Sequence, residues 1–199
     1  MTRTNMDLKL PATKADMHSL HVGDFVFLSG TIFTGRDALH KYLASGAAAP
    51  CDLTHAFIYH CGPIIVQHKD GPRVVAAGPT TSAREEPYMA DLIERFQLRG
   101  IIGKGGMGRQ TLAACRKFGC VYLHAVGGAA QVLAHTVSRV TGVYMEEEFG
   151  SPEAMWELEV CRFPAIVTMD AHGNSLHQRT ATSSLEHLQK LFDKSNSQP

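Results

Sequence analysis

Gly100-Ile101-Ile102-Gly103-Lys104-Gly105-Gly106-Met107-Gly108 is the stretch on which the fold turns. Its first four residues read as a short buried strand, an apolar pair held between glycines. The glycine-rich run that follows reads as a loop. Helical spacing takes over from about Gln110 to Phe118, and Cys120–His124 is again apolar and strand-like. Strand, loop, helix and strand in such quick succession predict an α/β domain.

The same alternation extends on both sides. Asp24-Phe25-Val26-Phe27-Leu28-Ser29 is β-rich and bounded by Gly23 and Gly30. From Arg36 to Ala44 the residues Leu39, Tyr42 and Leu43 fall at helical spacing, and Gly46 stops the run. Ala56–His60 and Ile64–Val66 read as strands broken by Gly62-Pro63. Asp70-Gly71, between Ile64–Val66 and Arg73–Ala76, predicts a hairpin. Pro79–Ala83 is a polar loop. Glu85–Leu98 is helical, with Met89, Leu92, Ile93 and Phe96 as its apolar stripe and Pro87 in the first turn.

Farther on, Gly127-Gly128-Ala129-Ala130 opens a helical stretch with Val132, Leu133 and Val137 on one face. Ser151-Pro152 reads as an N-cap followed by proline at the first helical position. Leu158–Cys161 and Ala165–Met169 read as two strands, and Ser183 with Glu186 as the capping box of a last helix. Met1–Asp24 alternates polar and apolar residues and lacks the apolar centre of a secretory signal. The expectation is one α/β domain with a mixed sheet and flanking helices. Its core spans about residues 8–192, and a polar tail runs from Asp193 to Pro199.

Composition narrows the function. At about 150 residues per domain, 199 residues make a single domain. Hydrophobic residues make up 44% of the chain, enough for a sizeable core. Nineteen Lys+Arg balance nineteen Asp+Glu, so no global positive field draws in a nucleic acid or an anionic membrane. No run of about 18 apolar residues is present to span a bilayer. The five cysteines form no CxxC pair, and Cys115 and Cys120 have the wrong spacing for a zinc ribbon. They read as reduced thiols of a cytoplasmic protein, with no metal held by this chain.

Three polar clusters fall in glycine-punctuated loops at strand ends, where α/β folds hold ligands. They are Thr34-Gly35-Arg36-Asp37, Gly78-Pro79-Thr80-Thr81-Ser82-Ala83-Arg84 and Gly103–Gly108. Arginine grips a carboxylate through two parallel hydrogen bonds, lysine adds a point charge, and glycine admits a ligand close to the backbone. Taken together, these residues suit a small anion. Nucleotide readings fail: Gly103–Gly108 has neither the GxxxxGK[ST] order nor GxGxxG on the first strand of a βαβ unit. No HExxH and no Gly-x-Ser-x-Gly elbow occurs. The eleven histidines are scattered, so an enzyme reading needs a Lewis acid from elsewhere.

Four segments occur in a fixed order: Ser29–His40, with Thr34-Gly35-Arg36-Asp37; Gly78–Arg84; Gly103-Lys104-Gly105-Gly106-Met107-Gly108; and Asp170-Ala171-His172-Gly173-Asn174-Ser175. In this the chain resembles the β subunit, or the C-terminal domain, of the iron–sulfur-dependent class I fumarate hydratase and L(+)-tartrate dehydratase family. The resemblance covers roughly residues 8–192. It implies a swivelling β/β/α domain that closes over a [4Fe–4S] cluster held by a separate α subunit. It also implies a heterotetramer of two α and two β chains and a C4 dicarboxylate substrate.

By the same resemblance, Arg36, Arg84 and Lys104 are expected to bind substrate carboxylates, and Thr80 to act as the catalytic base. Asp37 is expected to orient Arg36, Thr81 to support the site, and His40 to stand behind the contact residues. Many members carry Ala-Gly-Arg or Ser-Met-Arg after Pro-Thr-Thr, and Ser82-Ala83-Arg84 keeps the arginine at the same distance. Asp170–Ser175 is expected to be a structural turn. Hydration of fumarate to (S)-malate is the favoured reaction, with L(+)-tartrate or mesaconate as alternative substrates. A non-catalytic dicarboxylate-binding domain is the alternative of another class.

Overall fold

The computed structural model describes residues 5–195. In chain order its elements are β1 Asn5–Lys9, α1 Lys14–Ser19, β2 Phe25–Thr34, α2 Asp37–Ala44, β3 Phe57–Tyr59, β4 Ile64–His68 and β5 Gly71–Ala76. A 3₁₀ turn at Ser82–Glu85 leads into α3 Glu86–Phe96, followed by β6 Gly100–Gly103, α4 Arg109–Phe118 and β7 Val121–His124. Then come α5 Ala130–Ala134, β8 Val137–Tyr144, α6 Glu146–Phe149, β9 Met155–Met169 and α7 Leu176–Ser195.

Seven strands form one mixed sheet in the order β1-β2-β3-β6-β7-β9-β8. β3, β6 and β7 run parallel to the end of β2, whereas β9 pairs antiparallel with β7, β8 and β2. The β2–β9 pairing closes a circuit through β2, β3, β6, β7 and β9. Side chains alternate across the parallel strands, and both faces are buried, as parallel strands require. Phe57, Tyr59, Ile102, Val121 and Leu123 join Leu28, Ile32, Leu158, Val160 and Phe163 in one apolar cluster inside the circuit. Ile58, Ile101 and Tyr122 face the other way, against Leu39, Leu43, Met89, Leu92, Ile93 and Cys115 of α2, α3 and α4. The result is three layers: antiparallel strands, parallel strands and helices. Each fully buried Leu, Ile or Phe contributes roughly 1.5–3 kcal/mol.

The α/β class, the mixed sheet, the β4–β5 hairpin and the helices at α2, α3 and α4 agree with the sequence reading. Several expectations do not hold. Within the described part of Met1–Asp24, where the sequence reading named no element, β1 pairs with β2 and α1 carries a full capping box between Thr13 and Asp16. Ser151-Pro152 starts no helix; it is a turn, whose Ser151 carbonyl accepts the Trp156 indole N–H at 2.9 Å. Leu158–Cys161 and Ala165–Met169 are one strand. The break expected between them is a bulge at Arg162 (φ 53°), and β2 pairs across both halves. Val137 belongs to a strand rather than a helix. α7 begins at Leu176, so Ser183 and Glu186 lie inside it, and the helix continues through Asp193–Ser195 of the expected tail.

Space decides one glycine in the core. A Cβ on Gly100 would lie 2.2 Å from the Phe57 ring of the neighbouring strand. Gly100→Ala should therefore destabilise the domain by at least about 1–3 kcal/mol in urea unfolding, the usual cost of overpacking. A midpoint equal to that of the parent would refute this packing account.

Candidate active site

The C-terminal ends of the parallel strands gather the polar loops. β2 delivers Gly35 and Arg36, β3 delivers His60, and β6 delivers Lys104. Thr80–Ser82 is threaded between the last two. The Thr80 N–H donates to the His60 carbonyl at 2.7 Å, the Lys104 N–H to the Thr80 carbonyl at 3.3 Å, and the Ser82 N–H to the Lys104 carbonyl at 3.1 Å. Thr81 and Lys104 form a parallel bridge. A three-residue segment is thus held in sheet-like pairing.

The Thr80 hydroxyl donates to the same His60 carbonyl at 3.0 Å. Its proton is thereby directed inward, and its lone pairs are free to face a ligand. Lys104 is half-buried and, among the described residues, has no acidic partner within ion-pair distance. The two arginines are paired. Arg36 Nε lies 3.2 Å from Glu153 Oε1, and Arg84 Nη2 lies 3.0 Å from Asp37 Oδ2. Glu153 also accepts the Ala38 N–H at 3.0 Å, anchoring it to the first turn of α2.

Asp37 was expected to orient Arg36, and here the structure corrects the reading. Asp37 opens α2 and reaches Arg84, while Arg36 is held by Glu153 from the turn before β9. No local spacing links residues 36 and 153, so the sequence carried no signal for that pair. The structure brings Asp37 to Arg84, and Thr80 and Thr81 to Lys104. Thr81 and Arg84 are exposed.

Behind these residues lies a buried polar layer, of which the sequence reading named His40 but not His60 or Glu85. His40 Nδ1 is 2.7 Å from the Arg36 carbonyl, and its ring centroid is 5.0 Å from that of His60. Burial pulls His40 down to about 4 and holds His60 well below the ordinary histidine value, so both are neutral. Glu85 Oε2 sits 3.5 Å from His40 Nδ1, and neither carboxyl oxygen has a hydrogen-bond partner. Burial, then Asp37 and Glu153, push Glu85 up to about 7, against the pull of Arg84 and Arg36.

Helix α4 is not a free anion site. Glu86 accepts the Gly108, Gln110 and Thr111 N–H groups at 2.7, 3.1 and 3.3 Å, and the Thr111 hydroxyl at 2.6 Å. The chain's own carboxylate thus occupies the position where a phosphate would bind. The Asp170–Ser175 loop lies elsewhere, beside Arg116 in the last turn of α4. Asp170 Oδ1 accepts the His172 and Asn174 N–H groups at 3.0 and 2.9 Å, the geometry of a structural turn.

Among the described residues no three His, Cys, Asp or Glu side chains are grouped to hold a metal ion. Cys61, Cys115 and Cys120 are buried, Cys51 is half-buried and Cys161 is exposed, all as free thiols. The donor set of this chain does not fit an iron–sulfur cluster, which needs thiolates converging on one point. Among the described residues, no helix is long and apolar enough to cross a membrane.

Comparison with known proteins extends the picture. Residues 1–180 match the family model described as Fumarase C-terminus. The chain is 51% identical over 190 residues to a protein of Geobacillus stearothermophilus provisionally named a class I fumarate hydratase. That match covers 95% of this chain but 37% of the relative. It is 44% identical over 185 residues to a protein of Methanocaldococcus jannaschii provisionally named an L(+)-tartrate dehydratase subunit beta, covering 90% and 95% of the two chains. It is 37% identical over 171 residues to the L(+)-tartrate dehydratase subunit beta of Escherichia coli K12, with 85% of each chain covered.

The raised Glu85 value has a consequence for stability. Between the ordinary carboxyl value of 4.5 and about 7, the unfolded chain has released the proton that folded Glu85 keeps. Glu85 therefore costs stability as pH rises through that window. His40 acts in the opposite sense, costing stability as pH falls from 6.5 towards about 4. Glu85→Gln should remove only the first dependence. In urea unfolding the variant should gain on the parent between pH 5 and pH 8, and a gap that does not change with pH would refute this.

Proposed function

The chain belongs to the Fumarase C-terminus family, together with β subunits of L(+)-tartrate dehydratase, and on that premise we propose that it is the substrate-gripping half of a hydro-lyase. It acts with an α subunit on a C4 dicarboxylate, adding water reversibly across a carbon–carbon double bond. The favoured substrate pair is fumarate and (S)-malate. The assembly is two α and two β chains in the cytoplasm. The α subunit carries the [4Fe–4S] cluster, which supplies Lewis acidity when bound.

One observation carries this reading: Thr80 is hydrogen-bonded to both His60 and Lys104, a lysine with no acidic partner among the described residues, and the neighbouring loops carry Arg36 and Arg84. Arg36 and Arg84 bind carboxylate oxygens by exchanging Glu153 and Asp37 for substrate. Each arginine is positioned by its acid beforehand, so little side-chain freedom is lost on binding. Lys104 adds a fixed positive charge. Thr80 removes the proton from the carbon next to a carboxylate. A threonine hydroxyl is a poor base in water; three cations and the exclusion of water by the closing α subunit favour its alkoxide-like state. Thr81 and Arg84, exposed in this chain, are covered by that partner.

A second reading has its own support. The relatives with which this chain is aligned over 85–95% of their length are named for L(+)-tartrate. Tartrate differs from malate by one hydroxyl, and mesaconate from fumarate by one methyl. The choice among them lies with contacts partly outside this chain.

Anaerobic co-expression with a cluster-bearing α subunit, followed by assays with fumarate, mesaconate and L(+)-tartrate, tests the reading. Activity should require both chains. A stable binary complex that binds dicarboxylate without turnover would favour the non-catalytic alternative. Within the active complex, Thr80→Ala should lower kcat by about 10²–10⁴-fold with little change in KM. Arg36→Lys should raise KM about tenfold or more, because a forked contact becomes a point contact. Full activity in either variant would remove that residue from its role.

A further inference from the structure

Beneath Thr80, three side chains that the proposed reaction does not use meet at one point. Tyr122 OH donates to Ser82 Oγ at 2.8 Å, and Ser82 Oγ is 2.8 Å from His60 Nδ1. All three residues are fully buried. With Tyr122 donating, the Ser82 proton passes on to His60 Nδ1, so the ring proton sits on Nε2. That nitrogen is buried and has no partner.

The fold makes room for this junction. A Cβ on Gly103 would lie 1.9 Å from Ser82 Oγ and 3.1 Å from both His60 Nδ1 and Tyr122 OH. Gly103 has no left-handed backbone to explain it, so its requirement is space. The motif glycine before Lys104 thus clears room for a polar contact beneath the substrate edge.

Such a junction is a poor way to gain stability. A buried ring nitrogen left unpaired costs stability, and apolar side chains of similar shape would avoid that cost. Its connections suggest another use. The carbonyl of His60 receives both the N–H and the hydroxyl of Thr80, and the N–H of Ser82 is bonded to the Lys104 carbonyl. Fixing the His60 ring fixes the peptide plane that aims the Thr80 hydroxyl.

We propose that Tyr122, Ser82 and His60 are positioning residues for the proton transfer, a hydrogen-bonded strut that holds the Thr80 hydroxyl on the His60 carbonyl with its lone pairs towards substrate. The inference rests on the reading of Thr80 as the base. The ring stays neutral because burial holds His60 well below its ordinary value, so the strut keeps its hydrogen-bond direction through neutral pH.

The test uses the active α/β complex and the full chain. Ser82→Ala should lower kcat about 10–100-fold with KM within about twofold, since a small misplacement of a reacting group carries that penalty. With substrate deuterated at the carbon that loses the proton, the isotope effect on kcat should rise. Tyr122→Phe, which keeps the ring packing, should show the same split more weakly, and it decides the matter if Ser82→Ala fails to fold. In the ¹⁵N-histidine-labelled full chain, Ser82→Ala should shift the His60 Nδ1 resonance. Unchanged kcat in Ser82→Ala or Tyr122→Phe, with Thr80→Ala inactive, would overturn the strut and leave Thr80 as base. Unchanged kcat in Thr80→Ala would overturn the reading beneath it.

Discussion

The His60 carbonyl oxygen, which accepts both the backbone N–H and the hydroxyl of Thr80, is the contact on which the site depends. It ties the loop, just past the paired ends of β3 and β6, to His60 on one side and Lys104 on the other. That pairing sets Thr80 beside Lys104 at the end of β6, two residues before the 3₁₀ turn that carries Arg84. Loops of this kind usually owe their mobility to unpaired backbone. Here the backbone is paired on both sides, so the hydroxyl is positioned by the sheet itself.

Charge is arranged around this frame in two tiers. At the edge, Arg36 and Arg84 are each held by an acid from a different part of the chain, and Lys104 has none among the described residues. Beneath it, His40 and His60 are neutral and Glu85 is a carboxyl raised to about 7. The net effect is a cation-bearing rim over two neutral histidines and a carboxyl that holds its proton below about pH 7.

The three-layer build explains why the edge can be so polar. Both faces of β3, β6 and β7 are apolar and covered, so the strands need nothing from the loops at their ends. Another cleft, of about 640 Å³, lies between the β4–β5 hairpin and α5–β8, with Arg73, His135 and Arg139 among its lining. None of the candidate site residues borders it.

Periodicity and punctuation in the sequence were sufficient for the α/β class, the hairpin and the helices α2, α3 and α4, because apolar spacing and glycine stops are local properties. The glycine-punctuated loops that hold Arg36, Thr80, Arg84 and Lys104 were legible for the same reason. Where elements failed to appear as read, at β1, at the joined β9 and at the start of α7, long-range pairing or packing outweighed local cues such as Ser151-Pro152 and Ser183–Glu186. The partners of the site residues were decided only in three dimensions. Glu153 reaches Arg36 across 117 positions of sequence, and Tyr122 from within β7, Ser82 from the 3₁₀ turn and His60 from just past β3 meet over Gly103. Residue types along the chain determined what chemistry this protein could offer. The sheet's order determined which groups would act on one another, since only the fold sets the distance between residues far apart in sequence.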